Sequence, residues 1–113
     1  PEERGPGNIV LLTARFDNVT EIVSGFGKLG VSAEQVVKTA AARITGYLEC
    51  DAFAGPYLAD QLLLPFTLAG GGSFTTVKPS QHSRTAADVI EKFTGRRCEF
   101  EQLASGVHRV AIH

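Results

Sequence analysis

Ser32-Ala33-Glu34-Gln35 is the strongest local instruction in this chain, because it starts a helix at a defined residue and ends the extended structure before it. Ser32 can accept from an amide of the first turn, and Gln35, three residues on, completes a capping box. Val31 and Val36 have the spacing of a hydrophobic staple across that start. Ala33, Val36, Val37, Ala40, Ala41, Ile44 and Leu48 then recur at helical spacing, so a helix to about Leu48 is expected, its apolar face turned to a core. Upstream, Ile9 to Phe16 and Val19 to Gly25 read as paired strands, joined at Asp17-Asn18, residues that tolerate the left-handed region. Gly27-Lys28-Leu29-Gly30 breaks that pattern before the helix, and Gly5-Pro6-Gly7-Asn8 reads as a turn ahead of the first strand.

Downstream, Glu49 to Gly55 is a mixed connector and the candidate domain boundary. Pro56 suits the opening turn of a second helix, Tyr57 to Ala69, because it lacks an amide hydrogen that would go unpaired there. Leu58, Leu62, Leu63, Phe66 and Leu68 give that helix its apolar content, and Pro65 is expected to kink or divide it. Gly70-Gly71-Gly72 ends it. The triplet is no phosphate loop: it follows a helix and precedes a strand, and no Gly-Lys-Ser/Thr comes after it. Ser73 to Val77 reads as a strand and Lys78 to Ser83 as a loop. Thr85 and Asp88 form a second candidate capping box, for a helix that buries Ala86, Val89, Ile90 and Phe93 and stops at Gly95. Arg97 to Leu103 and Val107 to Ile112 read as closing strands around Ser105-Gly106. Mixed order with paired terminal strands indicates an α+β fold.

Composition narrows the function little. Formal net charge is -1, so any contact with RNA must come from local clusters such as Arg96-Arg97 or Lys78 with Arg84. The chain starts at Pro1 and contains no Met, and it is expected to be a piece of a longer protein. Pro1 to Gly7 lacks the apolar core of a signal peptide, and no apolar run approaches the roughly 20 residues that span a bilayer. A soluble, cytoplasmic protein without a membrane partner is expected. Cys50 and Cys98 have no Cys-x-x-Cys partner, which fits two free thiols in a reducing compartment better than a disulfide or a metal site.

Two places carry chemistry. His82 lies between a strand and a helix start, beside Pro79, Ser80 and Ser83, and such junctions present reactive groups on a rigid frame. A neutral imidazole nitrogen is a good nucleophile toward phosphorus, and a nearby helix N-terminus offers amides for a phosphate. Spacing alone also accommodates an ordinary loop histidine. His108 and His113 lie on the last strand and read as structural or exposed. Tyr57, Asp60 and Gln61 lie three and four apart, so one helix face would offer a ring, a carboxylate and an amide to a nucleoside. A solvated helix face has the same periodicity.

The run Gly55-Pro56-Tyr57-Leu58-Ala59-Asp60-Gln61-Leu62-Leu63-Leu64-Pro65 resembles a segment of RNA 3′-terminal phosphate cyclases. Ala69-Gly70-Gly71-Gly72-Ser73-Phe74-Thr75-Thr76 and then Pro79-Ser80-Gln81-His82 are similar to the same family in the same order. Gly5-Pro6-Gly7-Asn8 and Val31-Ser32-Ala33-Glu34 resemble its upstream segment more loosely. The resemblance implies a ligase that uses ATP to convert an RNA 3′-phosphate end into a 2′,3′-cyclic phosphodiester. It implies His82 as the residue that takes AMP, and Tyr57, Leu58, Ala59, Asp60 and Gln61 as the ATP-contacting segment. Tyr57 would pack on adenine, Asp60 and Gln61 would make polar contacts, and a divalent metal, Mg2+ or Mn2+, would neutralise phosphate charge. It further implies that residues 1–52 end a small inserted α+β domain and residues 53–113 end a large catalytic domain of βαβαβ-type repeats.

The family's glycine-rich signature and its N-terminal acidic, Arg and Gln site residues have no counterpart in this sequence. The missing N-terminal part is therefore an expected partner, and the 113 residues alone are expected to be inactive. Two other readings compete. One is a cyclase-like factor in ribosome assembly without catalysis, against which His82 at the matching position argues. The other is a stand-alone α+β interaction module.

Overall fold

The computed structural model describes residues 7–113 and divides into two compact units, Pro1–Glu49 and Cys50–His113. Gly5 and Pro6 of the expected N-terminal turn lie outside the described residues. The first unit is a hairpin and a helix: β1 (Ile9–Arg15), β2 (Thr20–Phe26) and α1 (Ala33–Glu49). The strands pair antiparallel from Ile9↔Phe26 to Arg15↔Thr20, leaving Asp17-Asn18 in the connection, which Phe16 N–H closes on Val19 O at 2.9 Å. Val10, Leu12, Val23 and Gly25 share the face toward α1, where a Cβ on Gly25 would touch Val36 Cγ1 at 3.1 Å. Ile9, Leu11, Ile22 and Phe26, on the opposite face, are exposed.

Ser32 caps α1 as expected, its Oγ accepting from Gln35 N–H at 3.1 Å. Gln35 directs its own side-chain amide to Thr39 Oγ1 at 3.4 Å, so it serves the next turn and not the reciprocal half of a capping box. The buried stripe is Val36, Ala40 and Tyr47, with Phe16 meeting the Tyr47 ring edge-on at 6.0 Å. Ala33, Val37 and Leu48, expected on the core face, are exposed. A hairpin of two strands covers only a narrow band of a 17-residue helix, which leaves the margins of the apolar stripe in solvent.

The second unit carries α2 (Pro56–Leu68), β3 (Gly72–Thr76), α3 (Gln81–Thr94), β4 (Cys98–Ala104) and β5 (Val107–Ile112). The sheet order is β3-β5-β4, both ladders antiparallel. Ala54 adds a parallel bridge to Thr76: its N–H donates to Thr75 O at 3.0 Å and its carbonyl accepts from Thr76 Oγ1 at 2.9 Å. The α+β expectation therefore holds, with antiparallel sheets in both units.

Leu63, Phe74, Ile90, Val110 and Ile112 form the core with Ala54 and Ala59, and Leu58, Leu62, Phe66, Ala86 and Phe100 pack around them. Each large apolar side chain taken fully from water there contributes about 1.5–3 kcal/mol. Phe66 of α2 meets Phe74 of β3 edge-to-face at 5.3 Å, a favoured aromatic geometry.

At the local level some expectations hold and others change. Pro65 does not divide α2, because Ala69 N–H still reaches Pro65 O at 2.9 Å and Thr67 Oγ1 donates to Leu63 O at 2.7 Å. The carbonyl it leaves without a helix donor belongs to Gln61, an exposed residue that water can reach. The α2 terminus is a Schellman motif, Gly71 N–H to Phe66 O at 2.8 Å and Gly70 N–H to Thr67 O at 3.2 Å. The third helix begins at Gln81, not at Thr85, which lies inside it and donates to Gln81 O at 3.0 Å. Its buried face is Ser83, Ala87 and Ile90, whereas Val89 and Phe93 are exposed, Phe93 at 86%.

Candidate functional site

Two helix beginnings make the site, and each is set by its own sequence. Gly55, extended at φ -73 and ψ 177, precedes Pro56, whose fixed φ opens α2, and Ala59 N–H closes the first turn on Gly55 O at 3.0 Å. Tyr57 is therefore on the opening turn, and Asp60 and Gln61 follow one turn later. Tyr57, 54% exposed, and Gln61 face solvent. Ala59 is 2% exposed within the core and Leu58 packs beside it, so these two hold the helix by burial. Asp60, half-buried, turns inward.

Ser80 begins α3. It is extended, φ -71 and ψ 163, and its Oγ accepts from Ser83 N–H at 3.0 Å. His82 is thereby on the first turn of a 14-residue helix and not in a loop, and its side chain is exposed. Ser83 N–H is taken by the cap, and the amides of Gln81 and His82 precede Arg84 N–H, which bonds Ser80 O at 3.2 Å, so these two point out of the helix end where an anion is favoured. The exposed imidazole and the outward-pointing amides thus come from one turn of backbone.

The two helices meet through Asp60. Its Oδ1 accepts from Ser83 Oγ and, at 3.4 Å, from Ser80 Oγ, and the two serine oxygens are 3.2 Å apart. The sequence-predicted residues are in this way partly brought together. Asp60 joins the His82 turn, while Tyr57 and Gln61 stay on the outer side of α2. Ser80 and Ser83 carry the junction and were not singled out for a role by the sequence. Pro79-Ser80 was the available signal, a chain-stiffening residue ahead of a good N-cap.

The other titratable groups sit elsewhere. His113 Nε2 lies 3.2 Å from Glu99 Oε2 at the surface, and His108 Nδ1 is buried with no hydrogen-bond partner among the described residues. Arg84 lies over the Phe100 ring, 5.1 Å from its centroid. Arg96 Nη1 donates to Gly70 O at 2.8 Å, a cation at the C-terminal end of α2. Cys50 and Cys98 are free thiols, and burial pushes both above the ordinary thiol range. No three His, Cys, Asp or Glu side chains among the described residues gather as a metal site. No helix among them is long and apolar enough to cross a membrane.

A family model described as RNA 3′-terminal phosphate cyclase matches residues 3–100. Curated proteins of that name are similar across most of the sequence. The Koribacter versatilis protein is 48% identical over 89 residues, 79% of this chain and 25% of its own length. The Ralstonia nicotianae protein is 51% identical over 89 residues, 79% of this chain and 26% of its own. A Pseudomonas aeruginosa protein is 42% identical over 111 residues, 98% of this chain and 33% of its own. The chain thus spans about a quarter to a third of the length of these relatives.

Proposed function

The chain belongs to the RNA 3′-terminal phosphate cyclase family, and from that premise we propose that it supplies the nucleophile of an ATP-dependent ligase acting on RNA 3′-phosphate ends. A ring nitrogen of His82 attacks the α-phosphorus of ATP; an N–P bond forms, the bond to the bridging oxygen breaks, and pyrophosphate leaves. An oxygen of the RNA 3′-phosphate then attacks the same phosphorus, the N–P bond breaks, and AMP passes to the RNA end. The neighbouring 2′-hydroxyl attacks the RNA phosphorus, releases AMP, and closes the 2′,3′-cyclic phosphodiester, giving up its proton.

The observation that carries this reading is the exposed imidazole on an opening helical turn, held to the Tyr57–Gln61 segment through Asp60. Tyr57 offers an accessible ring for the adenine and Gln61 an amide for its polar edge. A divalent ion, magnesium or manganese, would arrive with the triphosphate, since no three His, Cys, Asp or Glu side chains among the described residues gather to hold it. Residues 1–52 are proposed as the end of an inserted domain, and residues 53–113 as the end of the catalytic domain that works with the N-terminal part of the protein. Two free thiols fit a cytoplasmic setting.

Transfer of a nucleotidyl group depends on orientation and charge stabilisation, and these 113 residues span only about a quarter to a third of the length of their relatives. The test uses ATP labelled at the α-phosphate. At the relatives' full length the protein should retain label that is acid-labile, alkali-stable and lost in His82→Ala. The 113-residue chain alone should give no cyclic product from a 3′-phosphorylated oligonucleotide. Label that survives His82→Ala refutes the assignment.

A further inference from the structure

We infer that Asp60 is a positioning residue for His82, holding the nucleophile's turn against α2 through Ser80 and Ser83, and does not act as a nucleotide contact. The inference rests on the reading of His82 as the nucleophile. The contacts flank that residue on both sides in sequence. Ser80, two residues before it, gives its hydroxyl hydrogen toward Asp60 Oδ1 at 3.4 Å while its oxygen receives Ser83 N–H at 3.0 Å. Ser83, one residue after it, gives its hydroxyl hydrogen to the same Oδ1.

One carboxylate oxygen on the second turn of α2 therefore receives two hydroxyls from the N-cap and first turn of α3. Bonds to an ionised acceptor are the stronger kind, and Ser83 is 2% exposed, so water competes poorly for the contact. A negative group at a helix N-terminus is also favoured by the backbone dipoles of α3. The chain between residues 80 and 83 is thus fixed relative to α2 at both ends, with only Gln81 and the exposed His82 between them. The Asp60 oxygen that makes these contacts is spent on the protein. Ser83, being buried, cannot itself touch ATP, which makes it the cleanest handle on the junction.

The experiment measures single-turnover formation of the His82 adduct at the relatives' full length, in Asp60→Ala, Asp60→Asn, Ser83→Ala and the Asp60→Ala/Ser83→Ala pair. Misplacing a reacting group by about 1 Å can lower a rate on the order of 100-fold. The expected result is a fall of about 10- to 100-fold in the rate constant for Ser83→Ala and Asp60→Ala, with the ATP concentration at half-maximal rate within about twofold of wild type. The double variant should be no worse than Asp60→Ala, because one junction is being broken twice. Asp60→Asn, which keeps an acceptor oxygen in place, should recover most of the rate. A general loss of folding would not be rescued in that way, and circular dichroism on each variant identifies it. If Asp60→Ala does not fold, Ser83→Ala and Asp60→Asn still decide. Wild-type rates in Ser83→Ala, or an ATP requirement raised tenfold in Asp60→Asn at an unchanged maximal rate, would overturn the inference and make Asp60 a nucleotide contact. Failure of the wild type to label on His82 would instead remove the reading of the nucleophile, and the inference with it.

Discussion

Gly70 and Gly71 both sit at positive φ, +102 and +116, yet alanine should be far worse at the second. The left-handed region costs a residue with a Cβ about 1–2 kcal/mol, a penalty the two positions share. At Gly70 a Cβ would meet nothing within 4 Å, so Gly70→Ala should cost little beyond that amount. At Gly71 the Cβ would lie 2.6 Å from the carbonyl oxygen of Ile112. That atom belongs to β5, the central strand of the sheet, and cannot swing away as a side-chain tip would. Forcing it aside adds about 1–3 kcal/mol of overpacking and about 1 kcal/mol for a weakened hydrogen bond. Gly71→Ala should therefore cost about 3–6 kcal/mol. A unit of about 60 residues holds about 3–10 kcal/mol in all, so the variant is expected to be marginal or unfolded. Urea titrations of the 113-residue chain, followed by the methyl NMR signals of Val110 and Ile112, report this unit alone. With an m-value of about 1–2 kcal/mol/M, Gly70→Ala should lower the midpoint by about 1 M and Gly71→Ala by about 2 M or more. Equal midpoints for the two variants would refute the close approach of α2's end to β5.

Leu63, 1% exposed, and Phe93, 86% exposed, test the phase of the core. Leu63→Ala should lose about 2–5 kcal/mol and Phe93→Ser no more than about 0.5 kcal/mol, by the same titration. A comparable loss at Phe93 would mean that its face is buried after all. Cys98 is held above the ordinary thiol range by burial first and by the charge of Glu91 second, so Glu91→Gln should speed its alkylation by iodoacetamide at pH 8. The folded thiol ionises at a higher pH than the unfolded one. Its contribution to stability is thus intact below the ordinary thiol range and falls as pH rises through the folded value, which a comparison with Cys98→Ser in alkaline urea titrations would detect.

Where a signal was local and unambiguous, the sequence could be read to within a residue. Ser32 at the start of α1, Gly95 in the left-handed conformation at the end of α3, and the Ser105-Gly106 turn before β5 are of this kind. Apolar periodicity was less informative, because in so short a chain most helix faces are only half covered. Val37, Leu48, Val89 and Phe93 obey helical spacing and are nonetheless exposed. The start of α3 was missed because two candidates compete. Thr85-x-x-Asp88 looks like a capping box, whereas Ser80-x-x-Ser83 has no Glu or Gln in the third helical position to announce itself. The contact between Asp60 and Ser83 was illegible for a different reason: a polar pair 23 residues apart leaves no periodic trace and exists only once two helices dock.

That shift in phase decides whether His82 is presented to solvent. His82, Ala86, Val89 and Phe93 are spaced four, three and four residues apart and lie along one stripe of α3. Had the helix buried Val89 and Phe93 along with Ala86 and Ile90, as their apolar character suggests, the imidazole would have been turned toward the sheet with them. Ile90 is buried as expected and Ala86 still packs against the core, but burying Ser83 and Ala87 with them, in place of Val89 and Phe93, turns the helix by less than the roughly 100° of one residue and moves His82 off the covered face. A serine then takes a core position, a poor choice for apolar packing, since an unpaired buried hydroxyl costs about 1–3 kcal/mol. The Asp60 carboxylate removes that penalty. The helix can afford to present His82 to solvent because its neighbour's hydroxyl has a partner on α2. The same contact that makes a polar core position tolerable fixes the turn that carries His82, so on the proposal that His82 is the nucleophile, the loss of Ser83 should be felt in the chemistry at His82 before it is felt in the fold.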